Sequence, residues 1–342
     1  VSPALPRSPV LALPDLDLAA WLQHCICRTT CGCFALHTSS GRATAQRTWA
    51  SLRQACAHHP QAARIENTYR DGKRAWERDK LIAATLSRIA PHTRTAVRIR
   101  DAFTTRVVSE ALAHGVDQFL DLGSGHVYTS AAHTVVTRAK VDPAPRIVMV
   151  DNDEVVHANN IIHLERTNSD VWSRTFSLRR NAFAVGRLLN YLDHHEVLDL
   201  QRPVCVLLID LLHYLEPGLD TSSVTRRFIR RLAPGSWLAI SVLTDTPLLA
   251  PARAGMRTAL RETTAQWCQA HAQTLPPLPT PRRHAEVERM LTGLDLYPAG
   301  TGITTPRRWP LPDNTRTPRA PFSIAAVGHV PARPTPIAQA IA

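Results

Sequence analysis

An open α/β fold, with a mostly parallel sheet covered by helices on both faces behind an N-terminal helical cap, is what the sequence predicts. Three observations predict it. After Gly115, short apolar segments of strand length alternate with helical ones as far as "PFSIAAVGHV". The strands "QFLDL", "RIVMV" and "PVCVLLI" are apolar throughout rather than at every second residue, as strands buried on both faces must be. The first of them runs into a turn with two glycines, Gly123 and Gly125. In open parallel sheets, ligands bind outside such strand ends.

The elements follow in order. Residues 1–60 read as a flexible N-terminal extension, Pro-rich at its start, with one amphipathic stretch near "LDLAAWLQHC" and the polar linker "HTSSGRATAQ". Residues 61–115 read as the helical cap. "ERDKLIAATLSRIA" spaces Leu81, Ile82, Leu86 and Ile89 on one helical face, and Pro91 ends it. "RTAVRIRDAFTTRVVSEALAHG" is a second amphipathic helix, with Gly115 at its C-terminal cap.

Residues 116–331 form the α/β domain. "QFLDL" leads through the glycine turn into helical "SAAHTVVTRAK", and "RIVMVDND" is the next strand, ending in acid. "VWSRTFSL" is a weaker strand, followed by the helix "AVGRLLNYLDHH". "PVCVLLIDLLHYL" holds a buried strand, and "TRRFIRRLAPGSWLAISVL" a helix, a Pro-Gly turn and a strand. The basic, Pro-rich "HAQTLPPLPTPRRH" intervenes before a helix and strand in "HAEVERMLTGLDLYPAG" and the final strand "PFSIAAVGHV". Residues 332–342 are a tail.

The chain has 342 residues, 44% of them hydrophobic, and no apolar run approaches the ~20 residues that span a bilayer. "VSPALPRSPVLALPDLDLAAW" lacks the unbroken apolar stretch of a secretory signal. The expectation is a cytoplasmic protein, a monomer or homodimer, with no membrane partner. The net charge of +12 raises the possibility of nucleic acid. Only three of the 40 basic residues are lysines (Lys73, Lys80, Lys140), and the arginines are scattered, which speaks for a compositional bias towards Arg over a phosphate-binding face. Nucleic acid therefore ranks below a small molecule or peptide as partner. Cys25, Cys27, Cys31 and Cys33 lie within nine residues, too cramped for the paired spacing of a tetrahedral zinc site. No metal is expected there. In "LDHHE" the adjacent His194 and His195 would point about 100° apart on a helix, so they read as surface residues.

The chemistry concentrates at the glycine turn. Gly123 and Gly125, with Ser124 between them, let the backbone turn tightly and approach a ligand. A nicotinamide fingerprint would need a third glycine where Tyr128 stands. The D-x-G-x-G form from Asp121 suits S-adenosylmethionine, whose ammonium a carboxylate attracts. Asp151, ending the next strand, can accept hydrogen bonds from both ribose hydroxyls.

From about Ala63 to Pro331 the chain resembles the actinobacterial S-adenosyl methyltransferase family, once known as a domain of unknown function. The resemblance rests on residues in order: "ARI" at Ala63–Ile65, Gly72–Lys73 with Trp76 and Asp79, then Arg100, Phe103 and Arg106. "GVDQFLDLGSG", "VDNDEVV", "RPVCVLLIDLLHYL", "LAPGSWLAIS", "GLDLYPAG" and "RRWPLP" continue it. It implies the Rossmann-like class I methyltransferase fold, seven-stranded with an antiparallel last strand. It also implies S-adenosylmethionine as cofactor, contacted by Asp121, Gly123, Gly125, Asp151 and Asn152, with Asp210 near it. His213, just past the fourth strand, would face the methyl as a base, a role that competes with plain packing in the next helix. The sequence departs from the family at Val127 and Tyr128, where Pro-Thr is usual, at Ala131 and Ile99 for Asn, and at Ser177–Arg179, where an adenine-binding acid is expected. Methyl transfer to a small molecule or peptide is the reading. A non-catalytic binding module and a nucleic-acid methyltransferase are the alternatives.

Overall fold

The computed structural model describes residues 62–89, 93–128, 131–166, 174–215, 218–244, 280–312 and 323–332. The four clustered N-terminal cysteines lie outside them. Three helices come first: α1 (Ala62–Tyr69), α2 (Glu77–Ile89) and α3 (Thr93–Ala113). Then β1 (Gln118–Leu122), α4 (Ala132–Ala139), β2 (Arg146–Asp151), α5 (Glu154–Arg166), β3 (Thr175–Arg179), α6 (Val185–His194) and β4 (Cys205–Ile209) alternate. A single 3₁₀ turn, Leu212–Tyr214, leads to α7 (Ser222–Arg231) and β5 (Trp237–Leu243). The described chain ends with α8 (His284–Met290), β6 (Asp295–Leu296) and β7 (Ser323–His329).

The seven strands lie in the order β3-β2-β1-β4-β5-β7-β6. All neighbours from β3 to β5 are parallel, whereas β7 runs antiparallel to both β5 and β6. This is the expected seven-stranded, mostly parallel sheet with an antiparallel β7. The order reverses between β1 and β4, and a crevice opens there at the carboxyl ends of the strands.

Continuous apolar strands are explained by two covered faces. Phe119, Ile147, Met149, Leu207 and Ala239 point to one side, where Phe103, Val107 and Ala111 of α3 and Val136 of α4 meet them. Leu120, Val148, Val150, Val206 and Ile240 point to the other, against Leu188 and Leu192 of α6, Phe228 of α7 and Met290 of α8. Each fully buried Leu or Phe contributes about 1.5–3 kcal/mol of transfer free energy. The second half of α3 thus belongs to the layer covering the sheet. Only its beginning, at Val97, joins α1 and α2 in a small cluster with Ile65, Tyr69 and Ala83.

One expectation about α2 is corrected. Leu81 is 51% exposed, while Asp79 and Ala83 are buried and Ile82 and Leu86 are half-buried against the cluster. Asp79 is drawn inward by its ion pair with Arg64 at 2.8 Å, which turns the face away from Leu81. "VWSRTFSL" also ends later than read, since β3 continues through Arg179.

The separated motifs that carry the resemblance meet in space. Arg106 on α3 donates through Nε to the Trp309 carbonyl at 2.9 Å and also bonds the Pro306 carbonyl, and Phe103 meets the Trp309 ring edge-on at 5.6 Å. Arg64 lies 4.1 Å over the Trp76 ring. Gly72 passes so close to Asn67 that a Cβ would fall 2.2 Å from its Oδ1. Arg106 and Phe103 thus tie α3 to the Pro306–Trp309 segment, while the Arg64–Trp76 and Gly72–Asn67 contacts lie at α1 and the turn after it. His194 and His195 are exposed, and no group of metal-binding side chains occurs among the described residues. No helix among them is long and apolar enough to cross a membrane.

Candidate functional site

At the switch point, β1 stops at Leu122 and its chain turns through Gly123 and Gly125, with φ of +68° and +61°. At Gly123 a side chain would also collide, its Cβ falling 2.7 Å from Leu211 Cδ1. The loop is pinned from beneath. Gly123 and Ser124 N–H groups donate to the Val150 carbonyl, and Gly125 N–H donates to Asp151 Oδ2 at 2.9 Å. Asn160, buried on α5, donates to the Gly125 carbonyl at 2.9 Å and accepts from Val127 N–H at 3.3 Å. Asp153 N–H donates to Asp151 Oδ1 at 3.0 Å. The Asp151 carboxylate thus accepts from backbone N–H groups of the loop and of its own strand end, and a carboxylate with about four lone-pair sites still has room for a ligand.

Above this loop lies a cavity. Asp121, Gly123, Ser124, Gly125, Asp151, Asn152 and Asp210 all line it. The structure thus brings together seven of the eight residues singled out from sequence. It does not bring His213 into the cavity wall. The imidazole is buried, and its Nδ1 accepts a hydrogen bond from Leu243 N–H at 3.1 Å. Burial lowers its pKa, with Asp210 and Glu66 opposing. This geometry supports the packing role.

Sequence reasoning missed the opposite wall, which α1 and α3 supply. Arg100 donates to both Glu66 oxygens at 3.0 Å and to Asp210 Oδ2 at 3.3 Å, tying two helices to the end of β4. Asp210 takes φ of +50° there, and its Oδ1 accepts from Ser241 Oγ at 2.6 Å. Burial alone would raise the Glu66 pKa, but the Arg100 and Arg70 guanidiniums outweigh it and hold the carboxyl at about 2. Nothing in the local sequence announces contacts spanning 110 residues. Asn181, Ala182 and Phe183, just beyond β3, also line the cavity. Ser177–Arg179, where an adenine-binding acid is expected from the resemblance, lie within the strand. Asn181 Oδ1 accepts from Phe183 N–H at 2.9 Å, leaving its amide N–H groups for a ligand.

The electrostatics ask for a cation. Burial, then the Asp151 charge, pushes Asp121 up to about 7 despite Arg100, and burial, then Asp153, pushes Asp151 up to about 6. The half-buried Asp151 thus penalises the charge of the buried Asp121, a penalty that a cationic ligand relieves. Ser124 Oγ is buried without a hydrogen-bond partner among the described residues, so a ligand over the loop also completes its bonding. An ammonium-bearing nucleoside fits both demands.

A family model described as S-adenosyl methyltransferase matches residues 49–333. Two solved structures are similar along most of their length. One is a methyltransferase candidate from Thermobifida fusca YX, 25% identical, with a TM-score of 0.67 over 80% of this chain and 96% of that one. The other is a DUF574 family protein from Streptomyces avermitilis MA-4680, 26% identical, with a TM-score of 0.65 over 80% of this chain and 98% of that one. No curated protein matches the chain significantly.

Proposed function

Since the chain belongs to the S-adenosyl methyltransferase family, we propose that it transfers a methyl group to a small-molecule or peptide acceptor. Its cofactor is S-adenosylmethionine, which when bound supplies an electrophilic methyl on a positively charged sulfur. The observation that carries the proposal is one cavity, at the switch point of the sheet, lined jointly by Asp121, Gly123, Gly125, Asp151 and Asp210. In this reading Asp121 attracts the cofactor's ammonium and Asp151, with Asn152, accepts from the ribose hydroxyls. Asn181 and Phe183 receive the base, Asn181 serving with its amide where the family has an acid.

The wall of Glu66, Arg100, Asp210 and Tyr214 then faces the acceptor. Its charges are paired, and none is poised to abstract a proton: Glu66 is held at about 2, and His213 sits outside the cavity. Alignment of two reactants, not base catalysis, is the contribution of these residues. The matching acceptor is a nucleophile that reacts without giving a proton to this wall.

The test is incubation with methyl-labelled S-adenosylmethionine and separate small-molecule, peptide and nucleic-acid fractions. Label in the small-molecule or peptide fraction is the expected result. Label confined to nucleic acid contradicts the acceptor class. Cofactor binding with no transfer to any fraction favours a non-catalytic binding module.

A further inference from the structure

Tyr128, three residues beyond Gly125, stands where a nicotinamide loop needs glycine and where this chain departs from its family. Its ring is on the cavity wall, face to face with the Arg70 guanidinium, whose Cζ lies 3.9 Å from the ring centroid. Arg70 is itself immobilised. Its Nε and Nη2 donate to the two Asp101 oxygens at 2.8 and 2.9 Å, and its Nη1 lies 3.6 Å from Glu66. The Tyr128 main chain is fixed as well, its carbonyl accepting from Ala131 N–H at 3.1 Å and Thr134 Oγ1 at 3.0 Å. The ring is thus held from behind and at its root. Its hydroxyl makes no hydrogen bond to any described residue. A fixed phenol with a free hydroxyl on a cavity wall is a recognition group.

What it recognises follows from its neighbours. An amino acid carries its ammonium and its carboxylate on one carbon. Wherever Asp121 holds the ammonium, a donor must therefore stand beside it for the carboxylate. Asp151, Asp153 and Asp210, when ionised, only accept. Arg100 is spent on Glu66 and Asp210, and Arg70 on Asp101. Besides Ser124 Oγ, which sits in the loop itself, and Asn152 and Asn181, given to the ribose and the base, two tyrosines on the wall remain. Tyr128 follows the same glycine turn that Asp121 leads into, and the Asp121 charge acts on it, whereas Tyr214 lies in the 3₁₀ turn beyond β4, with Glu66, Arg100 and Asp210 acting on it. Burial raises the pKa of both phenols, so Tyr128 keeps the proton it would donate.

We infer that the Tyr128 hydroxyl donates to the carboxylate at the amino-acid end of S-adenosylmethionine, and that Arg70 is the positioning residue that holds and polarises its ring. The inference rests on the assignment of Asp121 to the ammonium in the proposed function. It gives the departure at Tyr128 a purpose, since Arg70 and Tyr128 form one unit.

Calorimetry with two probes tests it: S-adenosylhomocysteine, and its analogue lacking only the carboxylate, 5′-(3-aminopropylthio)-5′-deoxyadenosine. Wild-type protein should prefer the carboxylate-bearing probe by about tenfold or more, the worth of one hydrogen bond to a charged group. Tyr128→Phe should erase that preference while leaving the analogue's affinity unchanged. Arg70→Gln should reduce the preference in the same direction, a change that mere loss of stability would not produce, because it would weaken both probes alike. Equal binding of the two probes by wild type, or an undiminished preference in Tyr128→Phe, overturns the inference. Binding of neither probe by wild type overturns instead the reading of the cavity on which it rests. Should Arg70→Gln bind neither probe, Tyr128→Phe alone decides between the two outcomes, since it removes one oxygen from a ring otherwise kept in place.

Discussion

Asp121 meets two opposed demands, burial beside Asp151 and attraction of a cation, and its titration exposes both. Its pKa is pushed up to about 7, above the ordinary carboxylate range near 4. The native state then holds a proton that the unfolded chain has released, so stability falls as pH rises from about 4 through 7. A displacement of one pH unit is worth about 1.4 kcal/mol. Asp121→Asn should therefore be more stable than wild type at pH 8, by on the order of a few kcal/mol, and thermal unfolding across pH 5–8 measures it. A variant no more stable at pH 8 would remove the carboxylate repulsion. Ligand binding runs the other way. A cationic ligand prefers ionised Asp121, so affinity for S-adenosylhomocysteine should rise as pH climbs towards 7 and level off above it. A pH-independent affinity would detach Asp121 from the ammonium.

At the scale of elements, the first helices depend on a tight local turn. Gly72 follows α1 in a turn where Arg74 N–H donates to Asn67 Oδ1 at 2.9 Å. Gly72→Ala would place a methyl against that same oxygen, and overpacking of this kind costs about 1–3 kcal/mol. Unfolding by urea should register the loss, and an unchanged midpoint would show that the turn yields freely. The strands were legible because both faces are covered, which makes residues such as Val148 and Met149 apolar alike while they point to opposite sides. The helix α2 was less legible. Its spacing of Leu81 with Ile82, Leu86 and Ile89 is genuine, yet the Arg64–Asp79 pair at 2.8 Å turned a charged residue inward and Leu81 outward. Periodicity counts apolar residues and cannot see an ion pair formed across 15 positions.

For the whole molecule, the fold and the floor of the cavity were legible from the switch between β1 and β4, while its far wall was not. Asp121, the glycines and Asp151 lie on consecutive strand ends, so their order along the chain places them together. Glu66, Arg100 and Asp210 meet only because α1 and α3 fold over that end, and no local pattern encodes the meeting. The place of His213 was not legible for a related reason: position after β4 says nothing of rotamer, and the ring turns to Leu243 N–H. The charge of +12 is similarly a property of composition, and the cavity is lined by more acids than arginines. Retention on RNA or DNA should therefore be weak, and a steep loss of tight retention with salt would argue for a nucleic-acid acceptor. The central claim is that the cavity over Gly123 and Gly125 is the S-adenosylmethionine site. Calorimetric titration of wild type and Asp151→Ala with S-adenosylhomocysteine tests it most directly. The account predicts saturable binding to one site in wild type, weakened in the variant by about 1–3 kcal/mol through lost ribose hydrogen bonds. No binding at millimolar ligand, or equal affinity in the two proteins, would contradict it.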